Sequence, residues 1–159
     1  MNLLLDTHPL FWAIYKPELL SELAARAITE PTNTIWATGA SAQEIALKLA
    51  AGKWRAALDL LLHFDVRVAA AGYGQVAPTA VDYANLLRLP EVLDHRDPFD
   101  RLIIAQALAR GMTLMTSDPY APLYGVPVIV AGRGERPSEP RGGRVVPIEA
   151  LTPIKLPTD

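Results

Sequence analysis

The sequence predicts an α/β fold in which helices pack against a central parallel sheet. Short apolar segments of strand length alternate along the chain with longer segments that have helical periodicity and capping residues. The 159 residues are enough for one domain with a substantial core but too few for two comfortable ones. Half of the residues are hydrophobic and a fifth are charged, which is typical of a globular chain rather than a disordered one.

The predicted strands are short runs of apolar residues, as expected for strands that are buried on both faces of a parallel sheet. They cover residues 3–5, 34–37, 66–71, 112–116 and 126–130.

Capping residues and helix breakers mark the predicted helices between these strands. Helices are predicted over 8–15, after the N-cap Ser21, from Ser41 to a stop at Gly52, over 55–63, after Pro78, and from Asp97-Pro98 to a stop at Gly111.

The composition changes after Val130, where five prolines and four glycines fall among the last 29 residues. We expect an extension rather than a second core, with a mobile loop over 132–143. Residues 145–148 and 151–156 are more apolar and are predicted to dock on the body or on a second protomer. The arginines of the extension either provide a basic surface for RNA or belong to a solvated linker; they are Arg133, Arg136, Arg141 and Arg144.

The chain contains no cysteine, so it can form neither a disulfide framework nor a thiolate metal site. His8, His63 and His95 have no spacing that indicates a zinc site. We find no signal peptide and no apolar stretch long enough to span a membrane, and we expect a cytoplasmic protein. The net charge of −2 means that any surface for binding nucleic acid must be local.

Four acidic residues lie close to the ends of predicted strands. Asp6 ends the first strand, Asp118 follows the strand 112–116, and Glu44 and Asp100 are placed in the first turns of two helices. Because the carboxyl ends of parallel strands share one edge of a sheet, these acids are predicted to converge. Converging carboxylates repel one another unless a cation or a proton lies between them, and oxygen ligands suit Mg²⁺ or Mn²⁺. Such an ion can activate water for phosphodiester hydrolysis.

Each acid also has a structural explanation, and the sequence alone leaves it open. Asp6 could cap the helix that begins near His8, and Ser41 with Glu44 forms the pattern of a capping box. Asp97 could cap the helix that follows it, with Asp100 favourable to the helix dipole. Asp118 before Pro119 is an ordinary turn. The aromatic residues are expected in the core or an interface rather than as base-stacking platforms: Phe11, Trp12, Trp36, Trp54 and Phe99.

The order and context of these acids resemble the PIN-domain family over about residues 1–130. The motifs that carry the resemblance are, in order, Leu3-Leu4-Leu5-Asp6-Thr7-His8, Ser41-Ala42-Gln43-Glu44-Ile45-Ala46-Leu47-Lys48 with Gly52-Lys53, His95-Arg96-Asp97-Pro98-Phe99-Asp100-Arg101 with Ile104-Ala105-Gln106-Ala107, Thr116-Ser117-Asp118, and Tyr124-Gly125-Val126-Pro127-Val128. Each motif alone is weak, but their ordered combination is specific. The segment from Asp97 to Arg101 looks like VapC toxins in particular.

This resemblance implies a three-layer α/β/α nuclease domain over 1–130, with 131–159 as a partly mobile C-terminal extension. It implies endonucleolytic cleavage of RNA that depends on Mg²⁺ or Mn²⁺, and it places the metal-binding and catalytic positions on Asp6, Glu44, Asp100 and Asp118. Thr7, Asp97 and Thr116 are implied as supporting residues. The family usually forms homodimers, is neutralised by a VapB-like antitoxin, and contacts operator DNA only through that antitoxin. Candidate contacts to the RNA backbone are Lys48, Arg96 and Arg101.

Two other functions are compatible with parts of the sequence. A catalytically silent PIN fold could act only as a binding module within an antitoxin and DNA complex, although the complete acid set argues against this. A receiver-like phosphoacceptor at Asp6 would need a lysine at the end of a later strand, and the segment from Thr116 to Asp118 has none. A glycine-rich phosphate loop and a nucleophile elbow are both missing from the sequence.

Overall fold

The computed structural model describes residues 1–132 and the backbone of residues 145 and 146. Its strands are β1 (Asn2–Leu5), β2 (Thr34–Thr38), β3 (Gly74–Val76), β4 (Glu91–Val92), β5 (Thr113–Thr116), β6 (Val128–Val130) and β7 (Val145–Val146). Five of them form one parallel sheet in the order β3-β2-β1-β5-β6. The short strands β4 and β7 pair with each other in antiparallel orientation.

The helices are α1 (Thr7–Tyr15), α2 (Glu22–Thr29), α3 (Gly39–Ala50), α4 (Leu58–Leu62), α5 (Phe64–Ala70), α6 (Ala80–Leu86) and α7 (Pro98–Ala109). Short 3-10 turns precede α2 and α4 and connect β5 to β6. No helix in the described part of the chain is both long and apolar enough to cross a membrane.

Both faces of the sheet are buried, which gives the predicted three layers. On β1, Leu3 and Leu5 point into a core shared with α1, α2, α4 and α5, while Leu4 points into a second core shared with α6 and α7. Helix α3 contributes to both, through Ile45 on the first face and Ala40 on the second. The predicted α/β/α architecture around a parallel sheet is therefore confirmed.

One predicted strand is wrong. Residues 66–70 belong to α5, Ala71 is its C-cap, and the third strand is the later segment Gly74–Val76. Phe64 and Val68 are buried four residues apart, whereas Val66 between them is 67% exposed. That spacing is the period of a helix that buries one face, and the β-branched residues concealed it.

The start of α3 also differs from the prediction. The helix begins at Gly39, and the hydroxyl of Thr38 accepts a hydrogen bond from the main-chain N–H of Ala40. Ser41 therefore lies inside the first turn, and the capping box that it was predicted to form with Glu44 does not exist. Glu44 lies in the second turn rather than the first. Similarly, Pro78 precedes the N-cap Thr79 of α6 instead of lying in its first turn.

Most of the C-terminal extension, residues 133–144 and 147–159, lies outside the described residues. The predicted docking of 147–148 and 151–156 falls there, as does the predicted loop over 132–143 beyond its first residue, and both stay predictions. That first residue, Gly132, is described and forms an isolated antiparallel bridge with Leu20. Within 145–148, Val145 and Val146 pair with Val92 and Glu91. The extension is thus connected to the body next to the segment that leads into α7.

Candidate metal centre

The four predicted acids converge on one groove at the carboxyl end of the sheet. Asp6 follows β1, and its main-chain N–H donates to the carbonyl of Met115 on β5, which extends the pairing of these two strands. Glu44 projects from α3, Asp100 from the first turn of α7, and Asp118 from the loop after β5. The groove has a volume of about 380 Å³ and is lined by Asp6, His8, Trp12, Glu44, Lys48, Asp97, Asp100, Ser117 and Asp118.

Asp6 is held by two hydrogen bonds in a buried position. Its Oδ1 accepts from the main-chain N–H of Thr7 at 2.7 Å, and its Oδ2 accepts from the hydroxyl of Thr116 at 2.6 Å. The pKa of Asp6 is raised to about 7 because burial disfavours the charged form and Asp100 and Glu44 repel it, although both hydrogen bonds oppose the shift. The predicted helix cap is also formed, since Asp6 is the N-cap of α1.

Glu44 is buried and its two carboxylate oxygens have different partners. Oε2 accepts from the hydroxyl of Thr7 at 2.5 Å, and Oε1 lies 2.5 Å from the ammonium of Lys48. The Thr7 hydroxyl is also 3.1 Å from the hydroxyl of Ser41. Thr7 therefore contacts two acids of the groove, one through its amide and one through its side chain.

Thr116 connects Asp6 to Asp118. Its hydroxyl donates to Asp6 and accepts from the main-chain N–H of Asp118 at 2.9 Å. Oδ1 of Asp118 accepts from the N–H of Tyr120 at 2.9 Å. The other oxygen, Oδ2, is buried without a hydrogen-bond partner among the described residues, although the ring of His95 is close by.

His95 is a member of this cluster that the sequence analysis dismissed. Its Nε2 lies 3.4 Å from Oδ2 of Asp100 and 3.2 Å from Oδ2 of Asp118, close enough for the three atoms to surround one ion. Its Nδ1 is 2.7 Å from the hydroxyl of Tyr124, and its ring stacks on that of Tyr120 at 5.2 Å. The absence of a zinc-type spacing was uninformative, because the other two groups in this cluster are carboxylates. The sequence feature that could have indicated a role for His95 is its position five residues before Asp100, within the same motif.

His95 and Asp100 shift each other's pKa, and Asp118 contributes to both shifts. Burial lowers the pKa of His95, but interactions with Asp100, Asp118 and Tyr124 outweigh it and raise this pKa to about 11. Burial also raises the pKa of Asp100, against the lowering effect of His95, and neighbouring acids add to the rise. Without a metal ion, the protonated His95 therefore balances part of the negative charge of the neighbouring carboxylates.

Asp97 caps α7, as its sequence context predicted. Its Oδ1 accepts from the main-chain N–H groups of Phe99 at 2.8 Å and Asp100 at 3.3 Å, and Pro98 occupies the first helical position. Its side chain is exposed at the rim of the groove. Asp97 consequently fixes the helical turn from which Asp100 projects.

The candidate RNA-binding cations differ in their availability. Lys48 makes an i,i+4 ion pair with Glu44. Arg101 makes no ion pair with Asp97 in the described part of the chain, and its guanidinium lies 6.0 Å from the centre of the Tyr124 ring. Arg96 is exposed and, with Arg101, lines a neighbouring pocket formed by residues 91–96.

These features define a PIN domain. Residues 3–124 match the PIN domain family, so the chain belongs to that family. A search of curated proteins finds no match. Among solved structures, a chain of VapBC2 from Rickettsia felis, bound to a DNA fragment from their promoter, is similar with a TM-score of 0.58 and 16% sequence identity. The alignment covers 82% of this chain and 99% of that chain, and at this identity it demonstrates a shared fold.

Proposed function

We propose that this protein is a metal-dependent endoribonuclease and the toxin half of a VapBC-type toxin–antitoxin pair. The observation that carries the proposal is the convergence of Asp6, Glu44, Asp100 and Asp118 on one open groove. These acids come from four separate places in the fold. Helix capping does not explain their convergence, because Asp6 alone among the four is a helix N-cap. The resemblance to PIN nucleases of the VapC type assigns the same four positions.

The donor set fits a hard divalent cation. Four carboxylates line the groove, and Oδ2 of Asp118 is buried without a hydrogen bond from the described residues. The raised pKa values of Asp6 and Asp100 are those of acids that lack a sufficient counter-charge. Mg²⁺ and Mn²⁺ both suit oxygen ligands. His95 would add a nitrogen donor that Mn²⁺ also accepts, once a bound cation displaces the proton of its imidazolium.

The chain's own residues position the groups that would hold the ion. Thr7 and Thr116 fix the two oxygens of Asp6, and Lys48 with Thr7 fixes those of Glu44. A bound Mg²⁺ or Mn²⁺ would neutralise the phosphate and activate water for attack on phosphorus. We propose that the exposed Arg96 and the partly buried Arg101 hold the RNA backbone beside the groove, where their charge attracts phosphates.

Cleavage of single-stranded RNA tests this proposal. We expect the purified protein to cut RNA with Mg²⁺ or Mn²⁺ and to stop when a chelator is added. Asp6→Asn should abolish cleavage and leave the fold intact. Asp65→Asn, at an exposed acid in the first turn of α5, is the matched control and should cleave normally. Full cleavage by Asp6→Asn would contradict the mechanism.

The proposed partners are an antitoxin and a second copy of the chain in a homodimer. A dense carboxylate cluster attracts a cationic side chain, and arginine can pair with it bidentately. We therefore expect a co-expressed VapB-like antitoxin to place an arginine or lysine near Asp6 and Asp118, and to provide any contact to operator DNA. A complex in which metal still binds freely would contradict this mode of inhibition. Absence of divalent-ion binding by the free protein would instead favour the silent binding module.

A further inference from the structure

We propose that His8, Trp12 and Trp54 form a subsite for one unpaired nucleobase of the RNA, next to the phosphodiester bond that is cut. This inference rests on the proposed ribonuclease activity and adds what that activity leaves open, the part of the substrate that is recognised. It revises the expectation that Trp12 and Trp54 serve only the core or an interface.

The three side chains form an aromatic corner at the wall of the acidic groove. The ring of His8 stacks on the indole of Trp54 with 4.4 Å between ring centres and 18° between planes. Trp12 stands beside His8 at 6.1 Å with its ring tilted by 55°. His8 and Trp12 line the same groove as Asp6, Glu44, Asp100 and Asp118. A base stacked on His8 would therefore lie beside the carboxylates.

Helix α1 carries two of the three rings at the edge of the first core, against which Trp12 and Trp54 are partly packed. Its residues Leu10 and Phe11 are buried against the sheet, whereas His8 is exposed and Trp12 is half-buried. Positions 8 and 12 are one helical turn apart and so share a face, which is turned toward the groove. Trp12 therefore packs against the core and also lines the groove, whereas His8 is exposed on the groove side.

Trp54 is held in a conformation that a bulky residue rarely adopts. Its φ of 52° and ψ of 46° lie in the left-handed region, which is strained for a residue with a Cβ. In this position its indole meets His8 on one side, the edge of Phe11 at 5.3 Å, and the ammonium of Lys48 at 5.2 Å. Lys48 in turn pairs with Glu44. The aromatic corner is consequently tied to the acid cluster through a single lysine.

Stacking on such a corner selects an unpaired base. Single-stranded RNA is commonly recognised by bases that are splayed out and stacked on Trp, Tyr, Phe or His rings. A base inside a duplex already has both faces covered by its neighbours and cannot present one to His8. The subsite would therefore favour loops and single strands, without a strong preference among the four bases.

The experiment measures binding of short single-stranded RNAs in which one nucleotide at a time lacks its base. Asp6→Asn is present throughout so that the RNA stays intact. With His8 present, we expect one position at which loss of the base weakens binding about 5- to 150-fold, the range measured for stacking of one base. In His8→Ala the same loss should have little effect, and His8→Phe, which keeps a flat ring, should restore it.

His63→Ala is the matched control, because His63 is a partly exposed histidine that pairs with Asp59 and does not line the groove. Its abasic profile should equal that of the parent. If His8→Ala left the abasic profile unchanged while the protein with Asp6 cleaved RNA, the base subsite would be overturned. The ribonuclease proposal would then still stand. A protein that neither binds nor cleaves RNA would overturn both. Equal binding of fully paired RNA would also overturn the subsite.

Discussion

At the scale of single residues, Asp6 combines burial with the repulsion of neighbouring acids. Its side chain is 8% exposed and shares the groove with three other carboxylates. A carboxylate in such a place is costly when ionised, because burial removes its hydration and its neighbours repel it. A site that binds a cation would have such a cost when the cation is absent, and the cost can be measured through stability.

The first prediction is that Asp6→Asn stabilises the metal-free protein above neutral pH. The folded-state pKa of Asp6, about 7, exceeds the usual 3.8, so the unfolded chain ionises first as the pH rises. Asp6 therefore reduces stability progressively from about pH 4 to 7 and by a constant amount above that. Thermal melts in a chelator should show the variant's advantage at about pH 8 and little of it at about pH 4. Adding Mn²⁺ should raise the melting temperature of the parent more than that of the variant. A variant less stable than the parent at pH 8 would contradict this.

His95 gives the second prediction. Its Nε2 lies between Asp100 and Asp118, and Tyr124 and Tyr120 orient its ring. We expect His95→Gln to lower cleavage about 10- to 100-fold and to weaken Mn²⁺ binding, as loss of an orienting partner does at metal sites. Tyr124→Phe removes the hydroxyl that holds Nδ1 and should act in the same direction with a smaller effect. Unchanged Mn²⁺ affinity in His95→Gln, measured by calorimetry, would restrict His95 to a structural role.

At the scale of elements, the N-terminal ends of α1 and α7 place acidic residues at the groove. The N-cap of α1 is Asp6 itself, and the N-cap of α7 is Asp97, three residues before Asp100. Capping and metal binding were alternatives for each acid in the sequence. In the structure Asp6 both caps α1 and lines the groove, whereas at α7 Asp97 caps the helix and Asp100 projects from its first turn into the groove. Capping and the proposed metal binding can therefore be separated by mutation at α7.

The third prediction separates Asp97 from Asp100. Asp97→Ala removes a cap that accepts from two main-chain N–H groups and should lower the free energy of unfolding by about 0.5–2 kcal/mol. Asp97→Asn keeps a capping oxygen and should lose less. Asp100→Ala should melt near the parent temperature and lose cleavage. If Asp97→Ala melted normally but failed to cleave RNA, Asp97 would have to be placed in the metal site.

The fourth prediction concerns the contact between α6 and α7, remote from the groove. Both oxygens of the buried Asp82 accept from Arg110, at 2.5 and 2.9 Å, and Oδ2 also accepts from the N-cap Thr79. Hydrogen bonds from Arg110 and Thr79 outweigh burial and lower the pKa of Asp82 to about 2. Its stabilisation is therefore present above about pH 4 and is lost as the pH falls toward 2.

Asp82→Ala should accordingly lower the free energy of unfolding by about 2–3 kcal/mol near neutral pH, through loss of the charged hydrogen bonds and the helix cap. Chemical denaturation at a series of pH values would measure the difference from the parent, which should shrink below about pH 4. Asp65→Asn again serves as the control, with a small and pH-independent effect. A difference that persisted unchanged at about pH 2 would mean that packing, not the ion pair, is responsible.

The limits of prediction from sequence follow from which forces are local. Caps such as Ser21 and Asp97 were predicted correctly because a helix start depends on residues a few positions apart. Ser41 misled the prediction, since Thr38 offered an equally local cap and only the burial of Ser41 beside Thr7 decides between them. His95 was missed for a similar reason: its partner Asp118 is brought to it by strand β5, which sequence spacing cannot encode.

At the scale of the whole molecule, a strand of the C-terminal extension pairs with the segment that holds His95 beside the groove. β7 pairs with β4, the main-chain carbonyl of Val92 in β4 accepts from the N–H of His95, and Val92 is 3% exposed in the second core. Loss of β7 would leave β4 without its partner strand in the described structure. Through β4, the described part of the extension can thus influence the position of His95.

The fifth prediction is that truncation after Gly132 leaves a folded protein with a loosened site. Both hydrophobic cores of the described residues lie within 1–132, so the cooperative melt should persist, with a loss of about 1 kcal/mol from the missing strand pairing. Hydrogen exchange should rise at residues 91–95, and cleavage should fall severalfold. Adding His95→Gln to the truncated chain should then lower cleavage by a smaller factor than it does in the full chain, because the two changes disturb the same position.

The truncation also removes Arg133, Arg136, Arg141 and Arg144. Each arginine that contacts a phosphate should have contributed about 0.7 to the salt dependence of RNA binding. An unchanged salt dependence would make these arginines a linker, and unchanged exchange at 91–95 would remove the proposed connection between the extension and His95.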